Sequence, residues 1–112
     1  MNKNYFDEIL KDWKSKLQKD EWFFSNIKED IFNNASEVEA FKAIPSVLKI
    51  LSQNSEPYLR TELLEILFVL ARKSNTTELP SGLMESLNSL ENISDSYTKF
   101  ILCDIKNYYR IA

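Results

Sequence analysis

A single glycine, Gly82, in 112 residues is the feature that most constrains this chain. Tight hairpins and bulges need residues at positive φ, which glycine adopts without strain. A sheet protein of this length would need several. Proline is also sparse, at Pro45, Pro57 and Pro80. The chain is therefore expected to be all-α. Its 44% hydrophobic content, with seven Phe, five Tyr and two Trp, argues against disorder, because there is ample apolar surface to bury. The length fits one domain over 1–112.

Apolar spacing predicts five or six helices. Tyr5, Phe6, Ile9, Leu10, Trp13 and Leu17 recur at three- and four-residue intervals and predict a helix over 5–18. A second is expected over 20–33, capped by Asp20, with Trp22, Phe23, Phe24, Ile27, Ile31 and Phe32 as its stripe. Trp22-Phe23-Phe24 cannot all share one face. Either neighbours wrap that helix or one ring stays exposed as an anchor. Ser36 and Glu39 have capping-box spacing ahead of Val38, Phe41 and Ile44. Pro45 then either kinks this third helix or opens a new one. Residues 58–73 predict the central helix, with Leu59, Leu63, Ile66, Leu67 and Leu70 on the core face and Leu64, Phe68 and Val69 widening the arc. A helix opened by Pro80 is expected over 80–91, then a turn over 92–95. The last helix is expected over 96–110, with Tyr97, Phe100, Ile101, Ile105 and Tyr108 inside.

A shift of 35 residues superimposes parts of the chain on itself. It sets Ile44-Pro45-Ser46-Val47-Leu48 on Leu79-Pro80-Ser81-Gly82-Leu83, Glu56 on Glu91, and Ile66-Leu67 on Ile101-Leu102. Such a period marks stacked helical hairpins. The run Ile44–Leu51 and the run Tyr58–Leu67, with an early proline and then Arg60 early in the second helix, resemble a HEAT repeat; the second unit has Asp95 where Arg60 stands. The resemblance implies a HEAT-like α-α superhelix of antiparallel hairpins. These would be an N-terminal pair over 1–35 and HEAT-like pairs over 36–74 and 79–110. It also implies a binding scaffold. In size, charge and helical architecture the chain is similar to small immunity proteins of bacterial polymorphic-toxin and contact-dependent inhibition systems. That likeness implies an inhibitor that neutralises a cognate toxin.

Composition narrows the chemistry. There is no histidine, which removes Ser-His and Cys-His nucleophile pairs and imidazole metal sites. Cys103, the lone cysteine, falls in an apolar helix and is expected to be a core thiol. The paired acids Glu62 and Glu65 share a helix face, where solvated carboxylates are the default. No phosphate loop, calcium loop or metal motif is present. The chain is thus read as no enzyme, with no cofactor or metal. Fourteen Lys+Arg against 17 Asp+Glu leave a net charge of −3 and a pI of about 5.0, a poor basis for gripping phosphates directly. No apolar run is long enough to span a membrane, and the first residues lack the apolar stretch of a signal peptide, so a cytoplasmic location is expected.

A protein partner remains, and acidity favours a basic one, a nuclease toxin for example. Tyrosine is enriched at interfaces because it pairs apolar area with a polar handle. Tyr58, Glu62 and Glu65 lie on one side of the central helix. Asp104, with Tyr97 or Tyr108, would continue the strip on the last helix. Tyr58, Glu62, Glu65, Tyr97, Asp104 and Tyr108 are therefore the candidate partner-binding residues, and ordinary solvated positions are the alternative. A general scaffold or adaptor is the alternative function.

Overall fold

The computed structural model describes residues 1, 4–92 and 95–111, and among these all regular structure is α-helical. Seven helices follow in order: α1 (Tyr5–Ile9), α2 (Trp13–Lys19), α3 (Phe23–Asn34), α4 (Glu37–Gln53), α5 (Pro57–Ser74), α6 (Leu83–Leu90) and α7 (Ser96–Tyr109). The all-α expectation holds, with one helix more than expected.

The extra helix arises within 5–18, where the apolar spacing predicts one continuous helix. Asp12 takes a left-handed conformation (φ 55°) and separates α1 from α2. Aspartate tolerates that region better than most residues. A periodic apolar pattern can thus continue across a break. Asp20 does not cap α3 at its expected start. Its carboxylate accepts from the Trp22 N–H at 3.0 Å and from Asn26 Nδ2 at 3.1 Å, and the helix begins at Phe23.

The capping box at Ser36 forms as read. Ser36 Oγ accepts the Glu39 N–H at 3.1 Å and Glu39 Oε1 accepts the Ser36 N–H at 2.9 Å. Pro45 lies inside α4, which runs on without a fresh start. Proline forgoes one intrahelical hydrogen bond, so the packing of Ile44, Val47, Leu48, Ile50 and Leu51 must hold the helix together through that point. The 80–91 helix starts three residues late. Pro80 and Ser81 lead into Gly82, whose φ of 85° places the one glycine where a side chain would be strained.

α5 packs against α4, α3 and α7, so it is the centre of the molecule. Leu59, Leu63, Leu64, Ile66, Leu67 and Leu70 are all buried there. α6 lies against α4 and α7 against α5, so segments related by the 35-residue shift are neighbours. Ile66-Leu67 and Ile101-Leu102 are buried pairs in both units.

α7 is rotated relative to its expected face. Thr98, Ile101, Leu102, Ile105 and Tyr109 are buried, whereas Tyr97 and Phe100 are exposed and Tyr108 is half-buried. Cys103, expected in the core, is exposed and accepts a contact from Asn107 Nδ2 at 3.7 Å. The rotation accounts for Tyr97 and Phe100, whereas Cys103 lies opposite both the expected and the observed inner face of α7. α7 has apolar residues on more than one side, so its sequence does not fix which side meets α5. The 92–95 turn includes 93 and 94, which lie outside the described residues.

Candidate protein-binding surface

The outer side of α5 lies between α3 and α7. Helical geometry puts Tyr58, Glu62, Glu65 and Val69 on that side, at four- and seven-residue spacing. Tyr58 is exposed but anchored. Its ring stacks parallel to Trp13 with centroids 6.0 Å apart, and lies 6.0 Å from Phe24. The single-letter run Trp22-Phe23-Phe24 divides as its geometry requires: Phe24 is buried, Phe23 half-buried and Trp22 exposed.

Glu62 and Glu65 are less exposed than expected, because both reach across to Lys28 of α3. Lys28 Nζ lies 3.1 Å from Glu62 Oε1 and 3.4 Å from Glu65 Oε2. The Glu62 side chain keeps only 13% of its surface. Burial pushes the Glu62 carboxyl above the usual carboxylate range; Glu65 pushes the same way, and Lys28 opposes both. Tyr97 of α7 donates from its hydroxyl to Glu65 Oε1 at 3.4 Å. The negative charge of Glu65, with a smaller contribution from burial, raises the phenol above its ordinary value. These contacts tie α3, α5 and α7 together at one level.

Four of the six candidate residues therefore form one group: Tyr58, Glu62, Glu65 and Tyr97. Asp104 is two turns beyond Tyr97 on the same side of α7 and is exposed. Tyr108 is one turn further, half-buried, with its ring edge-on to Tyr109 at 5.0 Å. Lys28 and Phe32 of α3 and Arg72 and Lys73 of α5 belong to this side too, beyond what local spacing shows, and Phe100, one turn from Tyr97 on α7, faces further out from α5. The apolar spacing predicts Phe100 in the core, and the structure leaves it in solvent. Lys28 is 34 residues from Glu62, beyond the reach of local spacing. Phe32 is 64% exposed and Phe100 71%.

A cavity of ≈ 490 Å³ lies elsewhere, lined by Tyr5, Glu8, Ile9, Asp30 and Asn34 among others. Its carboxylate at Asp30 is already engaged: Tyr5 Oη donates to Oδ2 at 2.9 Å and Asn34 Nδ2 to Oδ1 at 2.7 Å. Among the described residues, no group of three His, Cys, Asp or Glu is placed to hold a metal ion, and no helix is long and apolar enough to cross a membrane.

No protein family, no curated protein and no solved structure matches this chain. No match therefore supports the HEAT-like or the immunity-protein resemblance, which rest on the sequence features cited for them.

Proposed function

We propose that this protein works by binding another protein through the outer side of α3, α5 and α7, as an inhibitor that neutralises a basic partner such as a toxin nuclease. The observation that carries the reading is the set of large aromatic rings left in solvent on those three helices. Phe32, Tyr58, Tyr97 and Phe100 each keep about half or more of their surface. Aromatic rings grouped on one side of a small domain, around a few ordered charges, have the composition of an interface centre. Glu62 and Glu65 against the single Lys28 leave that centre one negative charge in excess, which suits a cationic side chain from a partner.

The general-adaptor reading is favoured by one feature. Lys28 already neutralises half of the acid pair, so recognition by ring surface alone is a workable alternative. Salt separates the two. Tagged wild-type protein and the Phe100→Ser variant serve as baits in the cell of origin, and the retained protein is purified for binding kinetics. The inhibitor reading expects a basic protein, retained by wild type only, whose association slows as salt rises. An acidic or neutral partner with salt-independent binding would replace it with the adaptor reading. Equal retention by both baits would remove this side of the molecule from either.

A further inference from the structure

The outer side of α5 is electrically polar along its length. Glu62 and Glu65 stand in its first half and Arg72 and Lys73 in its last turn, the two pairs centred about 13 Å apart along the axis at the helical rise. Val69 lies between them on the same side. At the acidic end, two carboxylates face one ammonium group, that of Lys28. The basic end opens into a cavity of ≈ 430 Å³ between α3, the start of α4 and α5. Phe32, Ala35 and Val69 give it apolar wall, and Arg72 and Lys73 face the single acid Glu37 across it. Both cations are ordered there. The Arg72 guanidinium lies 5.7 Å from the Phe68 ring centroid, and Lys73 Nζ sits 5.3 Å from that of Phe32 and donates to the Phe32 carbonyl at 2.6 Å. Counted over side chains, each end thus carries one unit of charge in excess, negative at one and positive at the other, the positive one partly offset by the C-terminal dipole of α5.

An amphipathic helix matches this pattern better than an extended segment. Its apolar stripe rises at the same 1.5 Å per residue as the row Tyr58, Glu65, Val69 beneath it, so about two and a half turns span from the acids to the cations at the cavity. Its own dipole is positive at the first turn and negative at the last. We infer that this groove takes a partner helix lying parallel to α5, its cationic first turn over Glu62 and Glu65 and its anionic last turn over Arg72 and Lys73, with one apolar side chain in the Phe32–Val69 cavity. The inference rests on the proposed use of this side for protein binding and adds the element bound and its direction.

Two stapled synthetic peptides of about 14 residues test it. Both carry the same leucine stripe. One has Lys-Arg in the first turn and Glu-Glu in the last; the other has these charges exchanged. Helicity is matched by circular dichroism, and binding is followed by fluorescence anisotropy at low and moderate salt. The Lys-Arg-first peptide is expected to bind at least about tenfold more tightly than its counterpart, with the preference shrinking as salt rises. Arg72 is exposed, so Arg72→Glu should leave the fold intact and cut the preference to about threefold or less. Equal binding, tighter binding of the exchanged peptide, no binding of either, or a preference unmoved by Arg72→Glu would each overturn the inference. If the native partner is still lost on Phe100→Ser while the peptides show no directional preference, protein binding stands and only the helix and its direction fall. If both baits retain the partner equally, the broader reading falls independently of the peptides.

Discussion

α5 and α7 fall on one another when the sequence is shifted by 35 residues, yet they behave differently. α5 has α3, α4 and α7 around it, and its six large aliphatic residues from Leu59 to Leu70 are all but excluded from solvent. α7 has α5 as its main neighbour and leaves Tyr97, Phe100 and Cys103 in solvent. A helix enclosed on three sides buries nearly every apolar residue, whichever way it is turned. A helix packed on one side must choose, and α7 chooses the Ile101–Ile105–Tyr109 side. The two rings that lose this choice, Tyr97 and Phe100, are α7's share of the candidate binding surface.

The largest effect that would break this contrast lies in the two cores. Leu67→Ala in α5 should cost about 2–5 kcal/mol, whereas Phe100→Ala in α7 should change stability by no more than about 0.5 kcal/mol. Denaturant melts of the two variants measure both. Comparable costs would mean that α7 is turned as its apolar pattern first suggested.

Next comes the charge group that joins the helices. Lys28→Met leaves Glu62 and Glu65 facing each other without a counter-ion, which should cost about 1–3 kcal/mol at neutral pH. Glu62 also gives wild type a characteristic pH dependence. Its carboxyl is raised in the folded state, so its protonated form is favoured by folding. That contribution is fully present below the unfolded glutamate value of about 4.3 and is lost as pH rises through the higher folded value. Thermal melts of wild type and Glu62→Gln over this range isolate it: the difference should shift in favour of wild type as pH falls. A difference independent of pH would place Glu62 in open solvent. The same enclosure means that reversing Glu62 and Glu65 to lysine would gather three cations, so the double reversal is a test of folding before it is a test of binding.

Gly82 marks a smaller asymmetry, at the entry to the second unit. A Cβ there would meet only Leu48 Cδ1, at 3.9 Å, so space is available and the penalty of Gly82→Ala is conformational, about 1–2 kcal/mol. A melt unchanged by that substitution would show that the positive φ is not required. The smallest effect is chemical. Cys103 should react with a thiol reagent in the native protein as quickly as in the unfolded chain, with no change in stability on Cys103→Ser. Protection in the native state would mean that the side of α7 opposite Ile101 and Ile105 is covered.

The sequence by itself determined the helical class, through the scarcity of glycine and the three- to four-residue apolar spacing. It also determined the Ser36 capping box and the enclosed side of α5, because these depend on residues within a turn or two of each other. The tertiary structure alone decided the break at Asp12, the passage of α4 through Pro45, the rotation of α7 and the pairing of Lys28 with Glu62 and Glu65. Local spacing does not register a left-handed residue inside a periodic pattern, nor a proline that surrounding packing holds within a helix. It cannot rank two apolar sides of one helix, since that ranking is set by the surface the helix meets. Nor can it join residues 34 positions apart, whose attraction exists only once α3 and α5 lie side by side.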